Sequence, residues 1–212
     1  MLDVHAPHGR MEGLRDFLLH LLTITIGLLI ALGLEGCVEW QHHRNLVHEA
    51  EDGMRGEIAQ NLGTVTALQK QIADHQKELD ADLAVIAGLR AHPESKNGQL
   101  SFGFALEGFT DVAWKTAQNT GAMAYMPYQG AKTYSEIYDA QTQVYSAEEL
   151  VVNDVVRAAA FPSTQGNDWR PTPQQCDELT DRIGELRMRL MLLNSLVTSL
   201  QHTYQEFQHG TH

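Results

Sequence analysis

The sequence predicts an all-α protein: one amino-terminal transmembrane helix, then an antiparallel, up-down-up-down helical bundle. Three observations predict it. Residues 17–34 form an eighteen-residue run without a formal charge. Residues 58–86 carry an apolar side chain at every seventh position, and residues 179–207 repeat the pattern over the same length.

The apolar run, FLLHLLTITIGLLIALGL, has His20 as its only strongly polar member. Extended back to Leu14 and on to Val38 or Trp40, it crosses ~30 Å of hydrocarbon at ~1.5 Å per residue. A buried core helix is the alternative, and about 10–14 residues would favour it. The run is longer than the apolar core of a cleaved signal, and no A-x-A site follows it. Leu34-Glu35-Gly36-Cys37 has the outline of a lipoprotein cleavage box, but Glu35 stands where that box needs a small or apolar residue. An uncleaved anchor is the expectation. Arg10 and Arg15 lie on the amino side, whereas the carboxyl side opens with Glu35 and Glu39 and reaches its first base at Arg44. The positive-inside rule then gives a cytoplasmic tail (1–16), a transmembrane helix (17–38), a juxtamembrane stalk (39–56) and a periplasmic helical-bundle domain (57–209).

Within the span, His20, Thr23, Gly27, Ala31 and Glu35 fall at steps of three and four, which return to one helical face. Small residues there admit a close neighbour, and polar groups turned from lipid point to a protein partner. The partners expected are the bilayer and, through this face, a second copy or another membrane protein. The net charge of −12 repels phosphate backbones, so nucleic acid is excluded. Composition is that of an ordinary folded chain, 43% hydrophobic and 20% charged. Two cysteines are too few for a disulfide framework.

Residues 41–56, with three histidines and two glycines, read as a helical stalk with a bend at Gly53 or Gly56. Next comes the first repeat, Ile58, Val65, Ile72, Leu79 and Ile86, flanked by Leu62, Leu68, Leu83 and Leu89. Gln69, His75, Gln76 and Asp82 interrupt it, giving a long amphipathic helix with a leaky coiled-coil seam. His92-Pro93 and the polar residues up to Gly98 end that helix. Residues 101–104 read as a loop or short extended piece, 110–124 as a shorter helix stopped near Pro127, and 128 to about 160 as a third. Thr172-Pro173-Gln174-Gln175 opens the last helix with a capping box. Its seam is unbroken: Leu179, Leu186, Leu193, Leu200 and Phe207, with Ile183, Leu190, Val197 and Tyr204 between. Equal seams, each ~42 Å long, fit antiparallel partners, with Ile86 level with Leu179 and Ile58 with Phe207.

Eleven histidines make metal the first chemical question. His5-Ala-Pro-His8 supplies two ligands and a turn. Glu39/His42 and Glu206/His209 have the Glu-x-x-His spacing of di-iron bundles, but the seam register separates them by ~20 Å. His42, His43, His48 and Glu39 read as a hydrated collar, with a metal site or pH sensor as the alternative. His20 alone does not make a haem site. No cofactor is expected, and no G-x-S-x-G, H-E-x-x-H, phosphate loop or C-x-x-C occurs, so an enzyme is not expected. Cys176 sits near a helix start, a place that can lower a thiol's pKa, but a lone cysteine without a basic partner reads as structural or incidental. Trp114, Met123, Met126, Tyr125, Tyr128, Tyr134, Tyr138 and Tyr145 make the middle aromatic, either as core or as a pocket.

Two blocks stand out together. One is His5-Ala-Pro-His8, Phe17-Leu-Leu-His20, Gly27-Leu-Leu-Ile-Ala31-Leu-Gly-Leu-Glu35, Val38-Glu39 and His42-His43-Arg44. The other is Ala113-Trp114-Lys-Thr-Ala117-Gln-Asn-Thr-Gly121-Ala, Met126-Pro127-Tyr128 and Tyr134-Ser-Glu-Ile-Tyr138. They resemble a group of uncharacterised bacterial proteins with one amino-terminal membrane helix and a helical domain. The resemblance covers about 70 residues. It implies an inner-membrane protein, transfers no activity or functional residue, and does not include Cys37. The function expected is a non-enzymatic scaffold or accessory subunit of a membrane assembly, the alternative being a metal- or ligand-binding periplasmic sensor.

Overall fold

The computed structural model describes residues 13–94, 100–165 and 170–210. The His5/His8 pair, most of the expected tail and residues 166–169 lie outside them. Among the described residues every regular element is helical. The chain divides into two compact units, Met1–His48 and Glu49–His212, and helix α1 (Gly13–Ala91) contributes to both.

In the first unit the described residues all belong to α1. Its apolar side chains face outward on every side: Ile24 is 67% exposed, Leu29 62% and Leu34 64%, and none of the eighteen-residue apolar window is buried. This is one long apolar helix near the amino terminus, of the length and composition that cross a membrane.

The second unit combines the remainder of α1 with α2 (Val112–Asn119), α3 (Ala122–Tyr125), α4 (Tyr128–Ala160), a 3-10 turn (Pro162–Thr164) and α5 (Pro173–Gly210). Contacts between α1 and α5 run in opposite chain directions: Arg90 pairs with Asp177, Asp80 with Arg187 at 3.1 Å, and Gln69 with Gln201 at 3.0 Å. Those between α1 and α4 run in the same direction, Glu57 to Tyr138 and Asn61 to Gln141. The core draws on α1, α4 and α5 together, with Ile137, Val144 and Val151 of α4 buried beside the two seams. Ile58, Val65, Ile72, Leu79, Ile86, Leu179, Leu186, Leu193 and Leu200 are buried, whereas Phe207 is half-buried and meets Tyr134 edge-on at 5.3 Å.

One local expectation is corrected. Residues 110–124 are not one helix. Residues 100–111 carry no regular structure, α2 follows, and the chain turns at Gly121, whose φ of +78° suits a residue without Cβ, before the single turn of α3. The stalk is helical as expected, α1 continuing through both Gly53 and Gly56. A Cβ at Gly53 would lie 3.4 Å from that of Ala113, an ordinary van der Waals contact with the start of α2. The capping box at the last helix is formed, with the Thr172 N–H donating to Gln175 Oε1 at 2.8 Å and the Gln175 N–H to Thr172 Oγ1 at 3.3 Å.

Candidate functional site

Two features stand out: the bare face of the apolar helix, and a line of buried polar side chains that grips residues 100–113. On the apolar helix His20, Thr23, Gly27, Ala31 and Glu35 are all exposed. The hydroxyls of Thr23 and Thr25 donate to the carbonyls of Leu19 and Leu21 at 2.9 and 2.8 Å, so neither is left bare. A Cβ added at Gly27 meets nothing within 4 Å. This face therefore has room for a neighbouring backbone. Farther along, the Arg44 guanidinium lies over the Trp40 ring at 5.5 Å and His43 is 4.0 Å from Glu39. His42 and His43 sit ring beside ring at 5.9 Å, and His48 is exposed on the same helix. The structure does not gather them into a set of three or more ligating side chains; among the described residues no such metal-binding group occurs.

Of this buried line, only His75 and Asp82 stood out in the sequence, as interruptions of the seam. Asn61 grips Thr110 from both sides, accepting its N–H at 3.0 Å and donating to its carbonyl at 2.8 Å. Glu57 accepts from the Ala113 N–H at 2.8 Å, the Thr110 hydroxyl at 3.1 Å and the Tyr138 hydroxyl at 2.5 Å. Gln141 receives the Asn61 amide at 3.0 Å and the Tyr204 hydroxyl at 2.8 Å, and it donates to the Thr110 carbonyl at 3.2 Å. Trp114 stacks on Tyr138, with centroids 5.0 Å apart. Burial and the neighbouring Glu57 push the Tyr138 phenol far above its ordinary range, and burial raises that of Tyr204. With both Glu57 oxygens occupied and both phenols held neutral, this cluster fixes the level of four chain segments against one another.

Farther along the same line Gln71 donates to the Ala105 carbonyl at 2.8 Å, and Asp82 accepts the Ser101 N–H at 2.9 Å. Glu148 accepts the Glu107 N–H at 3.3 Å. Its second oxygen, like that of Asp82 and like Nε2 of His75, is buried without a hydrogen-bond partner. Burial pushes the Glu148 carboxyl up to about 7 and raises that of Asp82. By contrast Asp154, also buried, is flanked by Arg157 and Arg189. The sequence signal for these positions was spacing: Asn61, His75 and Asp82 lie at multiples of seven, as do Gln141 and Glu148.

The aromatic middle divides. Tyr134, Tyr138 and Met126 are buried, whereas Tyr125, Tyr128 and Tyr145 are exposed. Trp114, Met123 and Tyr128 edge an open, shallow groove with Lys132 and Glu136. Cys176 is buried and Cys37 exposed. Burial raises the Cys176 thiol, which suits a structural cysteine and not a reactive one. No family model, curated protein or solved structure matches this chain.

Proposed function

We propose that this chain is a non-enzymatic, single-pass protein of the bacterial inner membrane, with its amino end cytoplasmic and its helical domain periplasmic. It serves as a scaffold or accessory subunit. One observation carries this reading: the side chains of an eighteen-residue apolar window all face outward and none is buried. A core helix would hide such side chains, since each large aliphatic group left in water forgoes ~1.5–3 kcal/mol. The threonine hydroxyls satisfied within the helix suit hydrocarbon. Trp40 with Arg44 suits the headgroup level beyond the span. The second unit contributes an acidic surface on a bundle with its own apolar core, and no catalytic group is needed for that role.

Membrane fractionation tests the placement. The chain should stay with alkali-washed membranes, and protease added to spheroplasts should remove the bundle while sparing the tail. Recovery in the soluble fraction would end the proposal. The Thr23-Gly27-Ala31 face is the proposed contact with a second copy or another membrane protein. Gly27→Leu should therefore shift the complex to a smaller species in mild detergent, and unchanged size would remove that face from the account. The alternative, a ligand or metal sensor, draws on the open groove beside Trp114. Stoichiometric metal in protein purified without an affinity tag would favour it.

A further inference from the structure

We propose that residues 100–111 form a pH-gated strap, closed over the α1–α4 groove while Glu148 and Asp82 carry protons and loosened as they ionise. The segment has no regular structure of its own. Among its described backbone groups, the Ser101, Glu107 and Thr110 N–H groups end on Asp82, Glu148 and Asn61, and the Ala105 and Thr110 carbonyls on Gln71, Asn61 and Gln141. Two of these anchors are carboxyls buried at 0% and 3% exposure, each with one oxygen on the strap and the other without a partner. A carboxylate so placed gives up hydration for a single hydrogen bond, and ionising it costs free energy that opening recovers.

The surroundings offer no compensating charge at Glu148. Glu107, on the strap itself, is the charged group acting on it, and it opposes ionisation. The register that aligns Asn61, Gln141 and Tyr204 puts Leu68 of α1 and Val197 of α5 at this level, neither titratable. Asp82 meets Glu78 and His75 from α1 and the Ser101 N–H from the strap. On α5, Arg187 is level with Asp80 and pairs with it, and the same register puts Glu185, a further carboxylate, level with Asp82. His75 turns Nδ1 to Glu78 at 3.1 Å and lays its ring beside Phe104 of the strap at 5.7 Å.

The sign follows from linkage. The closed form holds its protons more tightly than the released form, so closure is strongest below the ordinary glutamate value of 4.5 and weakens as pH rises to about 7. Hydrogen exchange on the full chain in detergent micelles, corrected for the intrinsic rate, tests this between pH 4.5 and 8. Protection of strap amides should fall roughly tenfold per pH unit for each carboxyl that is ionising and level off above about 7, with α5 amides unchanged. The pair Glu148→Gln and Asp82→Asn should flatten the profile. A flat profile in the unaltered chain, equal loss in strap and α5, or an unchanged slope in the double variant would each overturn the proposal. Should that variant fold poorly, the Glu148 carboxyl resonance in the unaltered chain decides. A midpoint inside the window of strap loosening supports the gate, and one outside it overturns it.

Discussion

The facing seams of α1 and α5 follow the same seven-residue step over the same length, yet they are filled differently. Along α5 each buried position from Cys176 to Tyr204 is apolar or aromatic. Along α1, Asn61, His75 and Asp82 alternate with leucines and isoleucines, and all three are buried. The reason lies in their neighbours. The polar side chains of α1 face residues 100–111, whose backbone groups need partners because no sheet or helix supplies them. Where only side chains meet, apolar surface suffices. Where bare backbone docks, amides and carboxyls are required, and the hydrophobic repeat is given up at those positions.

That contrast can be broken at either seam. Leu190, fully buried in α5, has only packing to lose. Leu190→Ala should destabilise the second unit by ~2–5 kcal/mol in denaturant titration, the largest effect expected of a single change. Asn61→Ala removes both of its bonds to Thr110 and one of the three bonds of Gln141. A loss of ~1–3 kcal/mol is expected, with hydrogen exchange rising first at Thr110. If Asn61→Leu, which restores apolar volume, proved fully stable, the polar positions would be replaceable filler and the contrast would fail. Thr172→Ala probes neither seam but the entry to α5. Losing one capping bond should cost ~1 kcal/mol, seen as a small drop in midpoint with unchanged slope.

Much of the helical layout could be read from the chain because its signals are local. His92-Pro93 stops α1, Thr172 and Gln175 start α5, and residues 17–34 carry more apolar surface than a bundle can cover. The course of residues 100–111 could not be read this way. Its contacts are made by main-chain N–H and C=O groups, which every residue shares, so Phe102 or Ala105 leaves no imprint of the partner it meets. The same holds for the polar cluster. His75 and Asp82 stood out as interruptions of the repeat, but Asn61 did not, and only a third dimension shows that Thr110 and Gln141 meet it.

The bonds that join α1 to α5 have a consequence for synthesis. Gln69 waits for Gln201, 132 positions later in the chain. Until the ribosome has delivered α5, the aliphatic side of α1 is covered only where residues 100–113 and α4 meet it, and the emerging chain carries the remainder exposed. Closure is consequently late, non-local and slow relative to the formation of the helices themselves.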